Sequence, residues 1–202
     1  MKLKYINAFY DADVQALIAG STNGVAVAYA EWSDSSQQSL LVAWRVLTDQ
    51  ESAEAFADAI ANSSRAYDIF ATAPGSAINW GQTQIANNDY RATKSTLIDV
   101  SGDGVQNSGD NTFEAAAAAK NAGTAVNGLT IGGGITLQNW YQENIVTPGG
   151  GTLFIADDFV DFESAVLNKI KVEVGGQVPE SATWILLGFG VFGLAGFRRR
   201  FK

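Results

Sequence analysis

An uncharged apolar stretch constrains this chain more than any other feature of its sequence. Residues 182–197 read ATWILLGFGVFGLAGF and are followed directly by Arg198, Arg199 and Arg200. A 16-residue helix is about 24 Å long, slightly shorter than a bilayer core, and flanking residues can extend it. A buried core helix is the alternative. Because the stretch is apolar on all faces and ends in cations that stop transfer, we predict a transmembrane helix, with residues 198–202 as a basic cytoplasmic tail and the body outside.

The composition of the chain removes several kinds of chemistry. Its 202 residues include no Cys and no His, which excludes thiolate sites, cysteine nucleophiles and Ser-His-Asp catalysis. Any bound metal would need oxygen ligands, which favours Mg²⁺, Ca²⁺ or Mn²⁺. Before residue 178 the chain carries 9 basic and 20 acidic side chains, and such an acidic body repels phosphate backbones. We therefore expect no nucleic-acid partner.

Periodic apolar patterns divide the body, residues 1–174, into helices and strands. Alternation predicts strands over residues 25–32 and 40–47, joined as a hairpin, and over 96–100, 125–131 and 153–156. Helical spacing predicts helices over residues 5–18, 78–86, 112–122, 137–144 and 159–170, and one from a cap at Thr48 or Asp49 to residue 60. This order favours an α/β fold with a mostly parallel sheet and helices on both faces. Residues 175–181 form a linker.

Two polar loops are predicted to open on the edge of the sheet where ligands of such folds bind, at the carboxyl ends of the strands. One loop continues the strand over residues 96–100 and contains Asp99, Ser101 and Asp103. The other leads into the next helix and contains Ser76. Their carboxylate and hydroxyl oxygens suit a hard cation, so these four residues are the candidate metal ligands.

The body resembles a von Willebrand factor A-like (vWA) domain, and more closely a bacterial vWA-like family of unknown function. The stretches that carry the resemblance occur in the family's order: VAVAYAEWS, GSAI, LIDVSGDGVQNSG, AVNGLTI and DDFVDFESAVLNKI. The resemblance implies a Rossmann-like sheet and an Mg²⁺ adhesion site, with Ser76 in the place of the family's Thr and Asp103 in that of its third-loop Asp. The family's Asp-x-Ser-x-Ser motif does not occur ahead of the first helix. We therefore expect that the first, central strand is missing and that two strand edges are left unpaired. Either residues precede Met1 in the true gene product, or this copy is degraded.

The polar loop after residue 98 has two other interpretations. Its spacing matches an EF-hand-like Ca²⁺ loop, although a strand rather than a helix leads into it; the residues at the loop positions are Asp99, Ser101, Asp103, Gly104, Asn107 and Asp110. Alternatively, it is a turn whose side chains satisfy its own backbone.

The C-terminal layout resembles the PEP-CTERM sorting signal of Gram-negative bacteria over about residues 178–202. Val178, Pro179 and Glu180 form the motif, and the apolar helix and the arginines follow. The resemblance implies that an exosortase-type membrane protease is a partner, as is the bilayer. Ser181 stands where the family has its second Pro, which bears on the efficiency of processing.

From these features we expect a non-enzymatic binding or adhesion module at the inner membrane with its body on the periplasmic side, later released or attached to the surface. It would contact extracellular protein or exopolysaccharide, through Mg²⁺ in the main interpretation. The alternatives are a structural matrix protein without a metal site, a Ca²⁺-binding loop protein and a metal-dependent hydrolase.

Overall fold

A six-stranded sheet organises the part of the chain that the structure, a computed structural model, describes: residues 2–68, 71–90, 95–158, 161–176 and 183–190. Its strands are β1 (Val25–Trp32), β2 (Gln38–Leu47), β3 (Ser95–Gly102), β4 (Thr124–Ile131), β5 (Leu153–Ala156) and β6 (Thr183–Gly190). The helices are α1 (Lys2–Tyr10), α2 (Ala12–Ala19), α3 (Gln50–Asn62), α4 (Pro74–Asn87), α5 (Thr112–Asn121), α6 (Gly134–Asn144) and α7 (Phe162–Lys171), and a π-helical turn, Val172–Gly176, continues α7.

The sheet has the order β2-β1-β6-β3-β4-β5. β2 is an antiparallel edge strand that forms the predicted hairpin with β1, and the other five strands are parallel. The prediction of a mostly parallel α/β sheet is therefore confirmed. Because β1, β3, β4, β5 and β6 share one direction, their carboxyl ends meet along one edge of the sheet.

The central position of the sheet is filled by β6. Its residues pair with β1 from Ala26↔Trp184 to Trp32↔Gly190 and with β3 from Ser95↔Thr183 to Ser101↔Phe189. The expected vacancy in the middle of the sheet is thus wrong. Backbone amides and carbonyls of a strand cost free energy when they lack hydrogen-bond partners inside a protein. An apolar strand between β1 and β3 supplies those partners on both sides.

The same strand contradicts the predicted transmembrane helix over residues 183–190. No helix within the described ranges has both the length and the apolar character needed to cross a bilayer. The remainder of that prediction, residues 182 and 191–197, lies outside the described residues, as do Arg198, Arg199 and Arg200 and the sorting motif Val178, Pro179 and Glu180.

Helices cover both faces of the sheet, as predicted. On one face α1, α2, α3 and α7 pack on alternate sheet residues such as Val27 and Leu97, and the rings of Phe9 and Phe56 meet edge to face at 4.9 Å. On the other face α4, α5 and α6 pack on the intervening residues, including Ala28 and Ile98. This alternation follows from the two-residue period of a strand, and it decides to which face each polar side chain of β3 is directed.

Two helix boundaries differ from the sequence prediction for local reasons. The single helix predicted over residues 5–18 is interrupted at Asp11, where the backbone is extended. The Asp11 carboxylate caps α2 by accepting hydrogen bonds from the amides of Asp13 and Val14. α4 begins earlier than predicted, at Pro74, because Pro at a first helical position needs no amide partner. The early start of α4 brings Ser76 inside the helix.

Candidate functional site

The carboxyl edge of the sheet is the candidate site. We define it by the segments that follow the strands or begin the helices there: residues 33–37, 72–76, 103–111, 132–135 and 157–158. These segments contain no Lys or Arg and five Asp: Asp34, Asp103, Asp110, Asp157 and Asp158. The described edge is therefore a strongly acidic surface.

Asp103 is the exposed carboxylate at the centre of this edge, directly after β3. Although the residue is exposed, the surrounding protein partly desolvates its carboxyl group and raises its pKa to about 6. No Lys or Arg among the described residues forms an ion pair with it. Asp103 is thus the one predicted ligand that lies on the edge and is accessible to a partner.

Ser76 does not face Asp103 as a ligand would. It is buried in the first turn of α4, and its hydroxyl oxygen accepts the Asp110 amide at 2.9 Å. The hydroxyl that the sequence prediction missed is Thr72, whose Oγ1 lies 3.5 Å from the position that a Cβ on Gly104 would take. Thr72 therefore lies near Gly104, and Ser76 holds the loop at Asp110.

Asp99 and Ser101 are also absent from the edge, because both point from β3 into the core beneath α1 and α7. Both side chains are fully buried. Lys169 donates to Asp99 Oδ2 at 2.7 Å, and the Tyr5 and Ser101 hydroxyl oxygens are 2.8 Å apart. The structure thus places Asp99 and Ser101 in a buried polar network and not on the exposed edge where the metal site was predicted.

The buried network contains two carboxyl groups for one cation. Lys169 also reaches Glu173 Oε2 at 3.3 Å, and the Asn127 amide donates to Glu173 Oε1 at 2.8 Å. Burial raises the pKa of Asp99 against the lowering effect of Lys169, and it raises the pKa of Glu173 to about 7. Asp99 Oδ1 has no hydrogen-bond partner within the described residues. The network is a costly structural device that ties α7 to β3.

The sequence carried a signal for this network that the prediction did not use. Lys169 follows Phe162 by seven residues and Val166 by three, so helical spacing puts it on the same buried face of α7. A Lys on a buried helical face requires a buried acid, and Asp99 interrupts an otherwise apolar strand. Together, these two observations could have predicted the ion pair between Lys169 and Asp99.

The structure brings one of the four predicted metal ligands, Asp103, to the exposed edge. Ser76 accepts the Asp110 amide, and Asp99 and Ser101 belong to the buried network. The described part of the chain contains no group of three or more Asp or Glu arranged to hold a metal ion. In the EF-hand-like interpretation, the first two ligand positions, Asp99 and Ser101, lie within β3 rather than in a loop.

The loop after Asp103 is held by its own polar side chains, as the turn interpretation predicts. Gln106 accepts the Thr112 amide at 3.1 Å and donates to the Asp110 carbonyl at 2.7 Å. Asn107 accepts the Thr72 amide at 2.8 Å, and Ser108 bonds to Asp34. These bonds fix the position of Asp103 and leave its carboxylate outside the network.

Two buried donors lie beside Gly102 at the end of β3. A Cβ on Gly102 would overlap the Tyr141 hydroxyl oxygen and would lie 3.8 Å from the Trp32 ring. Trp32 is 2% exposed and Tyr141 is 0% exposed. Neither the indole Nε1 of Trp32 nor the Tyr141 hydroxyl has a hydrogen-bond partner among the described residues. Buried polar groups of this kind normally have partners.

The fold and the acidic edge define an α/β domain consistent with a vWA-like fold. By sequence, the chain belongs to the family described as "Protein of unknown function (DUF1194)", whose model matches residues 3–178. No curated protein matches the chain.

Two solved structures resemble the chain. Proximal thread matrix protein 1 (PTMP1) from the mussel byssus is 14% identical, with a TM-score of 0.58; the match covers 84% of this chain and 42% of the mussel protein. The chain therefore spans less than half the length of that protein, and the likeness shows the fold alone. An aerotolerance-related membrane protein from Bacteroides fragilis NCTC 9343, solved with multiple mutations to serines, is 18% identical, with a TM-score of 0.48 and coverage of 84% and 88%.

Proposed function

We propose that this protein is a non-enzymatic binding module that takes a basic, partly apolar protein surface at its carboxyl edge. The observation that carries the proposal is the composition of that edge, with five Asp and no Lys or Arg. A surface whose charges have one sign attracts a partner of the opposite charge and speeds their encounter.

Exposed apolar side chains at the same edge favour protein over exopolysaccharide as the partner. Val105 follows Asp103 in the loop, Phe113 lies in the first turn of α5, and Ile135 lies in the first turn of α6. All three are exposed, and large apolar residues on a surface mark contact sites when they accompany a polar rim. A polysaccharide would form fewer favourable contacts with the acidic groups and with these apolar side chains than a basic protein surface would.

The chemistry of the chain supports binding rather than catalysis. It has no His or Cys to act as a base or nucleophile near neutral pH. Its buried Lys169 lies beneath two helices, away from the edge, and holds the fold.

A peptide titration tests this proposal. The probe is a synthetic amphipathic peptide of Lys and Phe, added to the isotopically labelled full chain and followed by amide shifts. We expect shifts along the carboxyl edge, and an affinity at least five-fold weaker in Asp103→Asn and Phe113→Ser. Glu143→Gln is the control, because it removes a carboxylate at the exposed end of α6 on the opposite edge. Equal affinity in all four proteins would refute the proposal.

Cations are tested separately because the residues that remain available are few. Since Asp103 is the one predicted ligand exposed on the described edge, we expect Mg²⁺ and Ca²⁺ to bind weakly, largely through their water shells. Calorimetric titration of the full chain with Mg²⁺ measures this directly. Tight, saturable binding that Asp103→Ala abolishes would restore the metal-dependent adhesion function expected from the family resemblance.

The location we propose is the cell envelope, with sorting by an exosortase-type protease, and this part is supported by the sequence alone. Its support is the order of Val178-Pro179-Glu180, an apolar segment and the arginine cluster. Residues 183–190 pair with β1 and β3 in the sheet, so the proposed location does not require that they span a bilayer. Fractionation of a Gram-negative host with and without an exosortase, followed by mass spectrometry, tests it. Uncleaved chain confined to the soluble fraction would refute the envelope location.

A further inference from the structure

We propose that Lys169 and Asp99 react with each other and form an amide bond between their side chains, a covalent cross-link that joins α7 to β3, and that Glu173 carries the protons. The two residues are 70 positions apart in the chain. A chain without Cys can form no disulfide, and an amide between side chains is another way to brace it covalently. The ion pair of the freshly folded chain is the state from which the reaction starts.

The two reacting groups are held against each other in the core. Lys169 Nζ lies 2.7 Å from Asp99 Oδ2, and both side chains are 0% exposed. Well-oriented groups within one molecule react as if one of them were present at about 10⁵–10⁸ M. Lys171 and Asp13 have the same separation of 2.7 Å, but their side chains are 28% and 78% exposed. Burial therefore distinguishes the first pair from an ordinary surface ion pair.

Burial matters because the amine must be uncharged when it attacks. Only the neutral amine of a Lys is a nucleophile, and an ion pair in water keeps its charges. Inside the core both ions lose their hydration, which brings the neutral amine and acid closer in free energy to the ion pair. Proton transfer from Lys169 to one of its two carboxylate partners gives the reactive form. Because that form is a minority, we expect a slow reaction within the folded protein.

The groups around the pair suit the steps of amide formation. Glu173 Oε2 lies 3.3 Å from Lys169 Nζ and is placed to accept its proton, and the Asn127 amide holds the other Glu173 oxygen at 2.8 Å. The Ser101 hydroxyl donates to Asp99 Oδ2 at 3.3 Å and stabilises the negative charge that develops there during attack. Asp99 Oδ1 has no hydrogen-bond partner among the described residues, so it is the oxygen that leaves.

The reaction balances without an added reactant. The electron pair of Lys169 Nζ attacks Asp99 Cγ, and the bond from Cγ to Oδ1 breaks. Two protons of the original ammonium group end on the leaving oxygen, relayed by the Glu173 carboxyl group, and one stays on the amide nitrogen. One ammonium and one carboxylate thus become one amide and one water, and nothing is oxidised or reduced. The buried charges of the pair disappear, and with them the cost of their lost hydration.

The cross-link has a consequence for the stability of the domain. A covalent link between distant positions restricts the unfolded chain much more than the folded one. The linked chain should therefore unfold at a higher urea concentration than the freshly folded, unlinked chain. The brace would act between the last α-helix on one face of the sheet and a strand beside its centre.

Intact-mass spectrometry of the full chain, freshly folded and after long incubation, tests the proposal. We expect a species lighter by one water molecule that accumulates in the wild type. It should be absent in Lys169→Met and should form at least about ten-fold more slowly in Glu173→Gln, which lacks the proton carrier. Lys171→Met is the matched control and should react like the wild type. A folded wild type that keeps its full mass throughout would overturn the proposal, whether or not any variant folds.

Peptide mapping separates the cross-link from the other reaction that releases one water. A cyclic imide at Asp103-Gly104 would have the same mass, but it joins no peptides. Trypsin cleaves after free Lys and Arg, so a cross-link through Lys169 joins peptide 95–120 to peptide 121–171. Loss of water with these two peptides separate would overturn the proposal. Equal rates in the wild type and Glu173→Gln would overturn the role assigned to Glu173.

Discussion

Replacing Lys169 with Met tests the buried network most directly. The substitution keeps the length and apolar stem of the side chain and removes its charge. It leaves Asp99 and Glu173, both 0% exposed, without the cation that they share. The Asn127 amide and the Tyr5 and Ser101 hydroxyls remain as partners, so the variant isolates the effect of the charge.

The expected loss is a large fraction of the stability of the domain. Removing one member of a buried ion pair typically costs about 3–5 kcal/mol, against a total of roughly 5–15 kcal/mol for a domain. The loss should be smaller at pH 5 than at pH 7.5. Without Lys169 the two folded carboxyls bind protons at a higher pH than the unfolded ones do, so the stability of the variant rises as the pH falls.

Urea unfolding followed by circular dichroism at both pH values measures these changes. Lys120→Met is the control, because Lys120 is exposed in the last turn of α5 and its loss should cost no more than about 1 kcal/mol. The triple variant Asp99→Asn/Lys169→Met/Glu173→Gln should recover most of the loss, since no charge then remains buried. If Lys169→Met stays within about 1 kcal/mol of the wild type at pH 7.5, the network does not carry the energy assigned to it.

Three further predictions follow from single positions. In the folded protein the pKa of Glu173 is about 7, above its ordinary value of 4.5. The stability that this group contributes is therefore fully present below pH 4.5 and is lost as the pH rises through 7. Glu173→Gln should remove most of this pH dependence from the free energy of unfolding, measured from about pH 4 to 8. Leu187→Pro should cost about 3 kcal/mol or more in urea unfolding, because it removes a backbone amide that pairs at the centre of the sheet, and a loss below about 1 kcal/mol would contradict the strand. Gly102→Ala should cost about 1–3 kcal/mol, and distinctly less in a Tyr141→Phe background that removes the overlapping oxygen; equal costs in both backgrounds would contradict the overlap.

Most of the elements of the fold could be predicted because their patterns are local. The strand over residues 25–32 and the start of the Asp49-capped helix lie where alternation and capping residues put them. The two-face arrangement followed from the order of strands and helices. The acidic character of the body was also evident, since its acidic side chains outnumber its basic ones.

The ligand set could not be predicted from the spacing of polar residues alone. Asp99, Ser101 and Asp103 are evenly spaced in the sequence, yet the first two lie in a strand that directs them into the core, and the third lies beyond its end. Ser76 could not be recognised as a structural residue until the position of the Asp110 amide was known. In both cases, contacts with distant residues decide the role.

By its sequence alone the chain determines an acidic α/β body without His or Cys, and an apolar segment that must avoid water. It does not determine where that segment goes, because a lipid bilayer and a protein core both satisfy apolar side chains. The tertiary structure decides this for residues 183–190. β1 and β3 each present a row of backbone amides and carbonyls towards the same position, and only an extended strand between them pairs both rows at once.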